Sequence, residues 1–506
     1  MTSTVIDRRG ILHLMLASGV SLALPRPTLA SPPHAWAKRE IEKQHDDAIE
    51  RIIRWIDVPA IASLNTGYEA SCDFTMNLFR DAGFQRVSKI ETGGKPGIFA
   101  TLDAGAPRTV GLYFMYDVMP ADPKEWSSPP FAAALVDKPG MGKCVVGRGA
   151  ANQKGPEGTF LAALHAFHGA GRPLPVNLVL IAEGEEEIGS PHIGHLAHEP
   201  EVLAALRKCS CIFMPDAGQD LAGVVDLTLG AKGIVEVELV CSAQRWGRGA
   251  QHDLHSGYKA IVDSPTWRLV EALNTLVSPD GNHPAIDGFL DKVRPLSDRD
   301  AAIIAKAAAV PDAEDVLKKA LAVNRWAGDA SFNTALRMLA TDPTINIEAL
   351  IAGYTGQGSK TILPSRAVAR LDIRLVPDMS ANDILSKLRD HLDKRGYADI
   401  EIRDLGSYDP TETSQDSVLI RGTQSIYASD GISFTVSPRL PSSWPGYIFT
   451  GEPLRLPAGF IGIGHGGGAH APDEFLLVES AISRVAGIDQ ATLFYVKLLY
   501  ELAAIR

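Results

Sequence analysis

Cysteine is scarce in this chain: Cys72, Cys144, Cys209, Cys211 and Cys241 are the only five among 506 residues. So few, and odd in number, they exclude a disulfide scaffold. An excess of positive charge is also missing, since 49 Lys and Arg face 60 Asp and Glu for a formal net charge of -11. Without a basic face to neutralise phosphates, nucleic acid is not an expected partner. No apolar run is long enough to span a bilayer. Internal repeats and low-complexity tracts are absent too, which excludes solenoid and fibrous architectures.

What remains is the balance of a globular protein, 45 % apolar and 22 % charged, at a length that implies two or three domains. Residues 1–30 read as an address. Arg8 and Arg9 precede a moderately apolar run from Ile11 to Leu24, Pro25 breaks it, and Thr28-Leu29-Ala30 offers small residues for cleavage. A paired Arg before a weakly apolar segment resembles a twin-arginine export signal, so the mature chain is expected in the periplasm with no membrane anchor.

From Trp36 to Val58 the spacing predicts an amphipathic helix. Apolar strands then alternate with helices: 109–118, a helix after Lys154, 177–184 and 211–216. That alternation predicts an α/β domain with a mostly parallel sheet. Cys209 and Cys211 flank Ser210 on one such strand, where alternate residues face the same way, and a buried structural role is expected for both. Near Leu227 the pattern changes to half-wet strands (233–243, 369–377), an Ala-rich helical stretch (301–340) and a helix ending near Gly396. The expected organisation is a split catalytic domain (31–227 and 409–506) around an inserted, smaller α+β lid (228–408).

The densest chemical signal is "EGEEEIGS" (183–190) at the end of the strand "NLVLIA". Carboxylates crowded at a strand end repel one another unless a cation or proton offsets the charge. Matching donors stand in other segments: Asp117 in "MYDVMP", Asn152 in "GRGAANQKGP", Asp216 in "MPDAGQ", and His465 and His470 in "GHGGGAHAPDE". Oxygen and imidazole donors gathered from separate strand ends suit zinc.

In this order, with "EWSSPPF" (125–131), "DLHSG" (253–257) and "GQGSKTILP" (356–364), the chain resembles a zinc-dependent peptidase and amidohydrolase family. That family includes carboxypeptidase G, carnosinase, aminoacylase, acetylornithine deacetylase and succinyl-diaminopimelate desuccinylase. The resemblance implies a ferredoxin-like fold for the lid, a homodimer, and hydrolysis of an amide bond in a small peptide or N-acyl amino acid. It makes Glu187, Asp216 and His470 metal ligands, Glu186 the general base, and Asp117 the residue that steadies a ligand His. His255 corresponds to a residue that crosses the dimer interface to the oxyanion, and Thr361 and Arg374 to residues that hold the substrate carboxylate. Ser443 lies near the family's Gly-Gly-Ser segment, although Leu440 stands where a Glu is usual.

Two positions depart from the family pattern: Met115 replaces the first ligand His, and Asn152 replaces the bridging Asp. A thioether is a poor zinc ligand beside carboxylates, and an amide oxygen carries no charge to hold two cations together. The expected centre is therefore a single Zn2+ held by Glu187, His470 and the carbonyl of Asn152, with Asp216 left at a weak or empty second position. The competing expectation is a family member that binds a peptide-like ligand, or acts on it without hydrolysis. His465 is expected to be a solvated or hydrogen-bonded loop residue.

Overall fold

A computed structural model describes residues 34–505. The export-signal expectation for residues 1–30 lies outside the described residues.

The main sheet has six strands in the order Arg86–Ile90, Gly97–Leu102, Asn177–Glu183, Thr109–Met115, Cys209–Pro215, Ala458–Ile461. The last four run parallel, and the first two add an antiparallel edge. Strands buried on both faces need apolar residues at every position, which is why "TVGLYFM" and "NLVLIAE" carry no alternation. One face packs on helices Lys154–Gly169 and Ile488–Ala504 through Phe114, Phe160, Phe213 and Tyr495. The other face is covered through Ile193, Leu196, Val202 and Leu206 of two short helices.

The expected helix from Trp36 to Val58 is two helices, Ala35–Lys43 and His45–Ile56, broken at Gln44. Cys209 and Cys211 do not share a face. The pairing of their strand with Thr109–Met115 slips between Thr109 and Gly111, and this irregularity sends Cys209 to one core cluster and Cys211 to the other. All five thiols are buried and unpaired.

A second, four-stranded antiparallel sheet runs in the order Thr344–Ala352, Arg366–Leu375, Gly233–Ser242, Glu401–Tyr408. Helices Pro265–Asn274 and Ala381–Lys394 cover it through Leu269, Leu273, Ile384 and Leu388, a ferredoxin-like βαββαβ arrangement. The Ala-rich stretch inserts three helices, Asp298–Ala308, Ala313–Leu321 and Phe332–Thr341, around a small core of Ile304, Leu317 and Leu336. Among the described residues no helix is long and apolar enough to cross a membrane.

Candidate active site and metal centre

The parallel strands deliver their C-terminal ends to one edge of the main sheet, where ligands of open α/β sheets bind. Asp117 lies just beyond Met115, fully buried. Its Oδ1 and Oδ2 accept the amides of Glu186 (3.2 Å) and Glu187 (3.1 Å), the first residues of the turn Glu186–Ile188. One carboxylate thus fixes the backbone that carries both the expected base and an expected ligand. Burial, followed by the charges of Glu187, Glu183 and Glu186, holds the Asp117 carboxyl well above the ordinary carboxylate range.

The acidic run does not converge on a single point. Glu183 accepts from Tyr113 Oη (2.7 Å) and Ser190 Oγ (2.8 Å), and burial pushes its carboxyl up to about 8. Glu185 is buried against His192, 2.7 Å from Nδ1. Glu187 faces the C-terminal loop, where its Oε2 lies 3.0 Å from His470 Nε2. Separate partners for three of the carboxylates relieve part of the crowding, and the raised Asp117 and Glu183 carboxyls register what remains.

Asn152 completes this contact. It ends the Gly-rich loop that leads into helix Lys154–Gly169, and its Nδ2 lies 2.7 Å from Glu187 Oε1 and 3.2 Å from His470 Nε2. His470 adopts a left-handed backbone, φ 63°, a conformation that costs a non-glycine residue about 1 kcal/mol or more. Met115 turns its side chain into the apolar cluster of Tyr113, Ile181, Trp444 and Phe449, and its amide donates to the buried Glu157 Oε1 (2.8 Å).

Asp216 lies one residue beyond its strand, its carbonyl accepting from Tyr495 Oη at 3.2 Å. It lines a cavity of about 10 Å³, room for one water, with Thr159, Ile463 and Tyr495. Among the described residues no three or more His, Cys, Asp or Glu side chains form a group able to hold a metal, so Asp216 does not join Glu187 and His470 in one. A cation there requires Asn152. The donor set is one carboxylate, one imidazole and one side-chain amide in mutual contact, a mixture of oxygen and nitrogen groups that suits zinc. A half-turn of the Asn152 amide exchanges its nitrogen for its oxygen on the side facing Glu187 and His470. The residues fit one cation.

His465 is a hydrogen-bonded loop residue, its Nδ1 2.7 Å from the carbonyl of Gln219. On the lid, strand Leu254–His255 pairs antiparallel with the distant strand Ile362–Leu363, and the Ser256 amide donates to the carbonyl of Thr361 (3.2 Å), so His255 and Thr361 share one exposed two-stranded ladder. His255 Nδ1 accepts from the amide of Gly257 (3.1 Å). Arg374 reaches from the lid sheet to Ser443 Oγ (3.0 Å) while also pairing with Asp372 (2.8 Å). The structure therefore brings Thr361 to His255 and Arg374 to Ser443.

Sequence reasoning missed Arg148 and Glu474, which form a buried pair at 2.7 Å. It also missed Lys154, whose Nζ donates to the carbonyls of Trp55 (2.8 Å) and Val58 (2.9 Å). Charged residues inside Gly-rich segments were the available signal.

This fold and site define a protein with a mostly parallel α/β domain, a candidate site at the C-terminal ends of its strands, and a ferredoxin-like lid. The model of Peptidase family M20/M25/M40 matches residues 111–493, and the chain belongs to that family. It is similar to the Cys-Gly metallodipeptidase dug1 of Schizosaccharomyces pombe, 27 % identical over 372 residues, 70 % of this chain and 74 % of that one. It is also similar to the Beta-Ala-His dipeptidase of Homo sapiens, 30 % identical over 303 residues, 59 % of this chain and 56 % of that one. The M20 metallo-carboxypeptidase Sso-CP2 of Sulfolobus solfataricus superposes with a TM-score of 0.80 at 30 % identity, covering 91 % of this chain and all of that one. The chain is thus an enzyme of the peptidase and amidohydrolase type, in a family whose peptidases depend on metal, commonly zinc.

Proposed function

We propose that the chain is an exported, periplasmic hydrolase that cleaves the amide bond of a dipeptide, another small peptide or an N-acyl amino acid, using one zinc ion per chain. Residues 31–227 and 409–506 make its catalytic domain, and 228–408 its lid. The observation that carries the reading is the contact of His470 and Asn152 with Glu187, which shares its turn with Glu186. The dipeptidase names of the relatives support a small-peptide substrate.

Glu187, His470 and the Asn152 oxygen would hold the metal. Bound zinc supplies Lewis-acid polarisation of the scissile carbonyl and lowers the pKa of water toward ~7. Glu186 takes a proton from the attacking water at its carboxylate and returns it to the leaving nitrogen. Asp117 keeps base and ligand on one rigid turn. Arg374, with its planar fork, and Ser443 and Thr361 receive the substrate carboxylate. His255, exposed on the two-stranded ladder of the lid, serves the oxyanion in a second copy of the chain. The lid's edge strand supports a homodimer, since Ile347, Leu350 and Ile351 stand 49, 50 and 44 % exposed beside unpaired backbone.

The second reading, a protein that binds peptide-like ligands without hydrolysis, draws on the Asn152 amide lying between Glu187 and His470. Zinc titration with a panel of Cys-Gly, β-Ala-His and N-acyl amino acids separates the two. Hydrolysis requires about one equivalent of zinc, is abolished by chelator and returns with zinc. Peptide binding with neither zinc uptake nor turnover would establish the second reading instead.

A further inference from the structure

Two acidic residues follow His470 closely, Asp473 and Glu474, and the chemistry above uses neither. Glu474 is fully buried. Its Oε1 accepts the amides of Ala151 (2.8 Å) and Asn152 (2.7 Å); its Oε2 accepts the amide of Gly149 (3.1 Å) and Nη1 of Arg148 (2.7 Å). Its own carbonyl takes the amide of Gly147 at 3.0 Å. Asp473 Oδ1 accepts both the amide and the hydroxyl of Ser127 at 2.8 Å. The Arg148 guanidinium stands 5.0 Å over the Trp126 ring, and its amide donates to the Pro130 carbonyl at 2.7 Å. The segments "EWSSPPF" and "GRGAAN" are thereby tied to the loop that presents His470.

Neutralising a buried arginine would need one contact. Three of the four donors to the Glu474 carboxylate are instead main-chain amides of the loop that ends at Asn152. Charge-assisted bonds of this kind fix a loop far better than neutral ones. The loop on the other side needs the support, because His470 and Asp473 both hold left-handed backbone, φ 63° and 57°. A single carboxylate four residues from His470 therefore sets the position of Asn152 relative to it.

We propose that Glu474 is a positioning residue of the metal centre, with Arg148 as its counter-ion, fixing the separation between the Asn152 and His470 donors. The inference rests on the metal-centre reading above. Metal affinity commonly falls about 10–100-fold when a residue that orients the ligands is removed.

The test is a titration of the metal-free full-length protein with Co2+ alone, read in the visible absorption of the complex. It compares wild type with E474Q, in which one acceptor becomes a donor facing Arg148. The expected result is unchanged far-UV circular dichroism, Co2+ affinity about 10–100-fold weaker, and a shifted spectrum. In the metal-free variant, amide exchange at 149–152 should accelerate and the His470 imidazole resonance should move. Wild-type affinity and spectrum in E474Q would overturn the assignment. If wild type itself binds no Co2+, the metal-centre reading fails, and the positioning role is decided by exchange at 149–152 and the His470 resonance. Should E474Q fail to fold, R148Q, which leaves the three amides in place, should weaken Co2+ several-fold; unaltered affinity there would also overturn the assignment.

Discussion

Replacing Asn152 by Asp should convert the contact with Glu187 from an attraction into a repulsion that a bound cation or an added proton relieves. In wild type the amide Nδ2 donates to Glu187 Oε1 at 2.7 Å, with both side chains about 95 % buried. Two full negative charges at that separation repel by about 6 kcal/mol at an effective dielectric constant of 20. The pair avoids part of this by taking up a proton, which costs about 4 kcal/mol at pH 7 for an acid of ordinary pKa 3.9. The metal-free N152D variant should therefore lose about 2–4 kcal/mol at pH 7. The sign with pH follows from linkage. The shared proton raises the folded-state pKa above the unfolded value, so the deficit vanishes below about pH 4 and grows as pH rises through the raised value. Denaturant titrations of wild type and variant at several pH values, each with chelator and with zinc, measure both effects. Zinc should stabilise N152D more than wild type, by the ratio of their affinities. A metal-free N152D as stable as wild type at pH 7, or one that gains no more from zinc, would refute the placement of Asn152 against Glu187.

Three further outcomes follow from the site and the fold. E186Q should lower kcat by about 10²–10⁴-fold while zinc stoichiometry stays at the wild-type value; full turnover would remove Glu186 as the base. H255A should lower kcat by about 10²–10³-fold, and mixing H255A with E186Q chains under exchange should restore activity, because one site then has both its own base and the histidine of an intact lid. No recovery would place His255 in the site of its own chain or outside catalysis. His165 is held down to about 4 by burial, so its neutral form favours the folded state, and that advantage is lost as pH falls from about 6.5 to 4. The loss is of order 2–3 kcal/mol for a largely buried imidazole, and H165L should flatten stability across that window.

The sheet was legible because its strands are buried on both faces, which leaves the composition of "TVGLYFM" and "NLVLIAE" no alternative to a central parallel position. The lid strands were legible for the opposite reason, since one wet face imposes period two on "GIVEVELV". Breaks within elements were not, because nothing in the composition around Gln44 or Ser210 marks the helix break or the register slip. At the site, residue identity located Glu187, His470 and Asn152, while the direction of each acidic side chain was beyond it. Glu183, Glu185 and Glu187 read as one charge run, yet they end against Tyr113, His192 and His470. The consequence for the chemistry is specific. On the proposed single-zinc reading, a chain with Met115 and Asn152 where the family pattern has His and Asp lacks one imidazole and one bridging carboxylate for a second cation. What it keeps is a carboxylate and an imidazole facing one amide, with Asp117 and Glu474 bracing the two loops that carry them. Bracing of that kind favours a site that takes one cation at fixed geometry over one that assembles around a pair.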